Sequence, residues 1–183
     1  ICYLYSNPAY IRAVKEIDKS HLLDALAIFQ QLGVVYEQGI ALLNLGGLAA
    51  SEKDYRRAIE YTQLARPFFD QVGGAQIFIV LWNLAEYYLF LGDIDQTLLF
   101  CEEMKPIAEN AGNRRLLAEI IAWQSRALAR YGELDDALDT GKTSLKLAYE
   151  IGNANDIAWH TWELGEVYRL MGDVEQARIY YQE

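Results

Sequence analysis

Cysteine is scarce. Cys2 and Cys101 are the only two in 183 residues, whereas a disulfide framework shows more of them at close spacing. Neither belongs to a Cys-x-x-Cys pair or lies near a histidine. Both therefore read as reduced thiols, and a cytoplasmic setting is expected. Basic charge is short as well: 16 Lys and Arg stand against 26 Asp and Glu, a net charge of −10. That excludes a nucleic-acid backbone or an anionic membrane as the main partner, because both demand clustered cations. No apolar run reaches the roughly 18 residues of a membrane span. No basic-then-apolar start with a small-residue cleavage site marks a signal peptide. The first residue is Ile1 rather than Met, so the sequence is expected to belong to a longer protein.

Catalytic equipment is equally thin. His21 and His160 lie in unrelated regions without a second ligand at metal spacing, and each reads as a solvated or packed side chain. Glu102-Glu103, Asp135-Asp136 and Asp139 fall at helix starts or outer faces, where acid is favoured by the helix dipole or by solvent. A phosphate-cradling loop needs several glycines before a helix that carries a lysine. Gly46-Gly47 falls inside a helix, and Gly73-Gly74 has no lysine after it. Gly141-Lys142-Thr143 falls mid-helix, with no glycine five before it and no strand ahead of it. No catalytic residue, cofactor or metal site is expected.

What the chain does have is a phrase that returns. Leu91-Gly92-Asp93-Ile94-Asp95-Gln96-Thr97-Leu98 is followed by Tyr131-Gly132-Glu133-Leu134-Asp135-Asp136-Ala137-Leu138 and by Met171-Gly172-Asp173-Val174-Glu175-Gln176-Ala177-Arg178, with the glycines 40 residues apart. A fixed period of that size marks a repeat array, in which each unit touches only its neighbours. A second series, Gly33, Gly73, Gly112 and Gly152, is spaced by 40, 39 and 40 residues, each glycine following a helical apolar pattern. Glycine closes helices because it takes the left-handed conformation without penalty. Asp93 with Gln96, and Asp173 with Gln176, have capping-box spacing; Glu133 with Asp136 is a poorer version.

Apolar periodicity then predicts helices over about 34–50, 53–72, 75–91, 94–111, 114–131, 134–151 and 154–171, with a last one starting at Val174. Residues 1–33 are less regular. Ser6-Asn7-Pro8 is a helix-start signal, and Asp18 or Ser20 offers a second start. Connections of two or three residues force consecutive helices to be antiparallel neighbours. The expected fold is all-α, a right-handed superhelical stack of helix hairpins. Its expected divisions are an atypical partial repeat at 1–33, repeats at 34–74, 75–113 and 114–153, and a truncated one at 154–183, all in one solenoid domain.

The clearest unit is Trp162-Glu163-Leu164-Gly165-Glu166-Val167-Tyr168, then Gly172-Asp173, then Ala177. It resembles the tetratricopeptide repeat. The small residue on helix A is Gly46, Ala85, Ser125 and Gly165 in successive units. The small residue on helix B is Ala58, Thr97, Ala137 and Ala177, twelve positions later each time. Departures are Lys53 for the turn glycine, Thr97 for Ala and Gln124 for the helix-A Leu. The long period resembles the repeat arrays of large bacterial regulators, such as signal-transduction ATPases of the maltose-activator type. It also resembles the long repeats of eukaryotic spindle-orientation adaptors. The resemblance covers 34–183 well and 11–33 weakly.

The resemblance implies that A helices line a concave groove. In this phase the groove residues are Trp82, Glu86 and Phe90, then Arg126, Ala129 and Arg130, then Trp159, Trp162, Glu166, Arg169 and Leu170. Two arginines framed by aromatics would suit a carboxylate-bearing peptide. Alternatively Glu86, Arg126 and Glu166, at equivalent positions, form an ion-pair ladder. Trp82, Trp162 and Trp123 are expected in the core, because such tryptophans more often pack within the hairpin. The chaperone-tail clamp of the family is not expected, since its positions carry Leu43, Trp82, Ala122 and Trp162, and then Gly47, Glu86, Arg126 and Glu166.

The expected function is a non-catalytic interaction scaffold whose groove binds a peptide or helix of a partner protein, within a larger regulatory protein. The alternative is a small-molecule or signal-sensing arm of a bacterial transcriptional regulator or ATPase. A third reading is self-association through an uncapped end presenting Val174, Ala177, Ile179 and Tyr180.

Overall fold

A computed structural model describes residues 19–72 and 75–182. Among them are nine α-helices and no strand: α1 (Lys19–Leu32), α2 (Val35–Ser51), α3 (Tyr55–Val72), α4 (Ala75–Leu91), α5 (Ile94–Asn110), α6 (Arg114–Tyr131), α7 (Leu134–Ile151), α8 (Ala154–Met171) and α9 (Val174–Gln182). The Ser6-Asn7-Pro8 start, Cys2 and the Gly73-Gly74 stop lie outside the described residues.

The helix ends have local causes. Asp93 accepts a bond from the Gln96 backbone N–H at 3.2 Å, and Asp173 one from Gln176 at 3.0 Å, which satisfies a donor that an isolated helix start leaves orphaned. Glu133 makes no such bond, as expected of a glutamate where Asp, Asn, Ser or Thr is the preferred cap. Asn113 and Asn153, directly after the stop glycines Gly112 and Gly152, start the next helices: Asn113 caps Leu116, and Asn153 caps Asn155 and Asp156. Gly132 closes α6 at φ 99°. Lys53, which replaces the turn glycine, keeps the left-handed conformation at φ 64°. The turn is therefore dictated by its surroundings, with a penalty that glycine would not incur.

The chain divides into two compact units, the first ending at Leu91 and the second starting at Gly92. In the first, Leu45, Phe69, Val80, Leu81 and Leu84 are fully buried. Here α2 and α3 approach so closely that a Cβ on Gly46 would stand 2.7 Å from the Thr62 hydroxyl, and one on Gly39 would stand 2.8 Å from the Phe69 ring. In the second, Met104, Ile120 and Leu164 are fully buried, and Ala137 packs with Ala129 and Val167. The small positions read from the repeat are buried in both units. At one of them the Ser125 hydroxyl donates to the Ala137 carbonyl at 2.6 Å, bonding α6 to α7.

Candidate functional site

The second unit sets α6 and α8 side by side against α7. Trp123, Arg126 and Arg130 repeat along α6 at spacings of three and four, and Trp159, Glu163 and Glu166 do so along α8, so each set shares a face. Arg126 joins them. Its Nε donates to Glu163 Oε2 at 3.1 Å and its Nη2 donates to Oε1, a two-pronged ion pair. Its guanidinium carbon also lies 4.9 Å from the Trp123 ring centroid and 5.7 Å from that of Trp159. Those distances are in cation–π range. The pair is mostly withdrawn from water, with side chains 28% and 11% exposed.

This changes the Arg126–Glu166 rung of the expected ladder. The carboxylate clasping Arg126 is that of Glu163, one turn earlier on α8. Glu166 instead accepts from Arg169 at 2.8 Å and from the Tyr181 hydroxyl, and the Arg169 bond holds its carboxyl below the usual range. Repeat alignment pairs Arg126 with Glu166 and gives no sign of Glu163, because a long arginine side chain reaches a turn away from its aligned position.

Trp162 corrects another expectation. It is 49% exposed rather than packed in the core. Trp123 is buried as expected, and Trp159 is half-buried with its ring edge-on to His160. Arg130, Arg169 and Leu170 are exposed, and Ala129 is buried. Of the expected uncapped end, Ala177 is buried, while Val174 and Ile179 are exposed. In the first unit, Trp82, Glu86 and Phe90 form one stripe along α4. Trp82 packs near Phe78 at 5.9 Å, and Phe90 is exposed but stacked on Tyr55 at 4.8 Å.

A buried polar cluster lies nearer the start of α8, at Asp156 and His160. The Ser144 hydroxyl donates to the Ala118 carbonyl at 3.1 Å, so it accepts from His160 Nδ1 at 2.7 Å. Burial pushes the His160 pKa down to about 4. Arg115 pairs with Asp156 at 2.7 Å, and burial raises Glu119 beside them. A serine, a histidine and an aspartate thus lie close together, yet Ser144 is 1% exposed and its only proton is spent on a carbonyl. Such a hydroxyl cannot reach a substrate as a nucleophile. His21 is exposed on α1. Cys101 is buried, and its thiol is pushed up to about 12 by that burial. Among the described residues no three His, Cys, Asp or Glu side chains could hold a metal ion, and no helix is long and apolar enough to cross a membrane.

No family model and no curated protein matches this sequence. Solved structures do. The nearly identical TPR-like repeats of a Podosopora anserina kinesin light chain share 12% identity with this chain, at TM-score 0.70 over 98% of this chain and 92% of that one. BtubC from P. vanneervenii matches at 15% identity and TM-score 0.69, over 98% and 82%. A Rap protein complexed with competence and sporulation factor matches at 17% and 0.68, over 81% of this chain but only 41% of its own. At such identities the likeness carries the fold alone. The fold is all-α and of the TPR-like repeat type.

Proposed function

We propose that this chain is a non-catalytic protein-interaction module, in which the α6–α8 face of the second unit takes a peptide or helix of a partner protein. The observation that carries this reading is Trp162, an indole left 49% exposed on the helix whose Glu163 fixes Arg126. A large rigid ring is the side chain that most often anchors an interface, and leaving one in water without such a use forfeits the stabilisation of burying it. The acids of this face are already engaged, Glu163 by Arg126 and Glu166 by Arg169 and Tyr181. The anchoring energy therefore comes from the aromatic surface of Trp162 and Trp159, and Arg130, exposed on α6, orients an acidic or carboxylate-bearing partner; Arg169 does so only by exchanging Glu166 for that carboxylate. Within the first unit, taken by itself, Trp82, Glu86 and Phe90 offer a contact stripe of their own.

The Rap protein of like fold is seen complexed with competence and sporulation factor, which supports a fold suited to holding a second molecule. The long repeat period supports a place within a larger cytoplasmic regulatory protein. Affinity capture from source-cell lysate tests the face. A protein retained by the wild-type chain should be lost with Trp162→Ala combined with Arg130→Glu. Undiminished capture of that protein by the double variant would rule this face out.

A further inference from the structure

The second half of α7 borders an open depression of about 520 Å³. Its floor is Leu145 and Leu164, and the rings of Tyr149 and Tyr180 stand at its sides. Lys142 and Lys146 are exposed on its rim, one turn apart on α7. No described residue pairs with either lysine. That sets them apart within the second unit, where Lys105, Arg114, Arg115, Arg126, Arg169 and Arg178 each have a carboxylate partner. Acid outnumbers base by ten in the whole chain, so two adjacent cations without a carboxylate are not for want of acid. The acid on this rim, Glu150, is bonded to Arg114, which spends its charge and leaves the rim positive.

We infer that this depression docks an acidic amphipathic helix of another protein, with an apolar side chain on the Leu145–Leu164 floor and carboxylates on Lys142 and Lys146. Four residues advance about 6 Å along any α-helix. Carboxylates at i and i+4 of a helix lying along α7 therefore come into register with the two lysines. An apolar residue between them faces the floor, the arrangement of a helix laid in a groove. The depression is shallow and wide open to solvent. A small molecule there would keep much of its surface in water, whereas small-molecule sites enclose most of theirs. The apolar anchor supplies affinity, and the lysines supply orientation and salt-dependent attraction. The site is distinct from the α6–α8 face: Leu164 lies two residues from Trp162, about 200° around α8, so neither site requires the other.

The test uses the whole chain and a fluorescein-labelled 18-residue probe helix. The probe carries leucine and phenylalanine on one face, flanked by glutamates four residues apart. Fluorescence anisotropy should show saturable binding that weakens from 50 to 300 mM salt. Lys142→Glu with Lys146→Glu should weaken binding by at least about tenfold, about 1.4 kcal/mol. Tyr149→Ala, which keeps both charges, should also weaken it, and Arg56→Glu, a charge reversal at an exposed position of the first unit, should leave it unchanged. Absence of saturable binding would overturn the inference. So would equal binding of a probe with lysines in place of glutamates, or full competition by millimolar benzoate, which would make the site one for small anions. A dimer by light scattering that the charge reversal converts to monomer would assign the surface to a second copy of this chain and overturn it as well. Both lysines are exposed, so circular dichroism of the reversed variant should match wild type.

Discussion

Arg126 on α6 and Glu163 on α8 hold each other across two helices that are not consecutive in the chain, with Nε 3.1 Å from Oε2 and the Trp123 ring beneath the guanidinium. The pair ties neighbouring repeats through side chains alone. The two partners are unequally buried, Glu163 being 11% exposed and Arg126 28%, and this asymmetry has a measurable consequence. Arg126→Ala strands a nearly buried carboxylate, and the expected loss is about 2–3 kcal/mol. Glu163→Gln leaves the guanidinium its two indoles and an amide oxygen, and the expected loss is about 1 kcal/mol. Urea unfolding of the two variants checks the order; equal losses would mean that the pair behaves as an exposed one.

His160 makes stability depend on pH. Its folded pKa, about 4, lies below the ordinary 6.5, so the unfolded chain binds more protons between those values. Stability should be fully present above pH 6.5 and fall as pH drops towards 4, by on the order of 3 kcal/mol. Asp156 favours the charged histidine, and Arg115 opposes it. Glu119, raised by burial, pulls the opposite way, losing stability as pH rises through its folded value. The comparison is therefore between wild type and His160→Gln: the variant should lose most of the decline between pH 6.5 and 4. The same slope in both would place its origin elsewhere.

Gly46 lies mid-helix in α2, where alanine would ordinarily gain about 1 kcal/mol. Here the sign reverses. Its Cβ would meet the Thr62 hydroxyl at 2.7 Å and the Ala58 carbonyl at 3.2 Å, and a backbone oxygen cannot step aside. Gly46→Ala should destabilise by about 1–3 kcal/mol. Adding Thr62→Ala should recover part of that loss, a coupling that a double-mutant cycle measures.

Cys101 should be inert. A thiol held at about 12 by burial carries almost no thiolate at neutral pH. In a chain with Cys2→Ser, a thiol reagent such as dithionitrobenzoate should fail to label the native protein at pH 8 and label one thiol in 6 M guanidinium. Rapid native labelling would mean that α5 opens readily.

The helices were legible because their causes are local. Ala75–Leu91, Arg114–Tyr131, Leu134–Ile151 and Ala154–Met171 fall where periodicity, glycine stops and caps place them. The offset between small residues was legible for the same reason where the pair packs within one hairpin, as Gly46 does with Ala58 and Ser125 with Ala137. Contacts that depend on how one helix is rotated against the next were not. The partnering of Arg126 by Glu163 rather than Glu166 is one, and the exposure of Trp162 is another. The burial of Asp156 and His160 beside Ser144 is a third: a polar residue in a helical pattern carries no mark of which side of the stack it faces. Lys53 shows the reverse case, in which a residue that disfavours a turn leaves the turn in place.

The most direct measurement on the proposed binding face is hydrogen–deuterium exchange of the whole chain, with and without the protein it retains in affinity capture. The expected result is slowed exchange over residues 123–130 of α6 and 159–170 of α8, abolished in the Trp162→Ala, Arg130→Glu variant. Slowed exchange confined to other helices, with α6 and α8 unchanged, would contradict it.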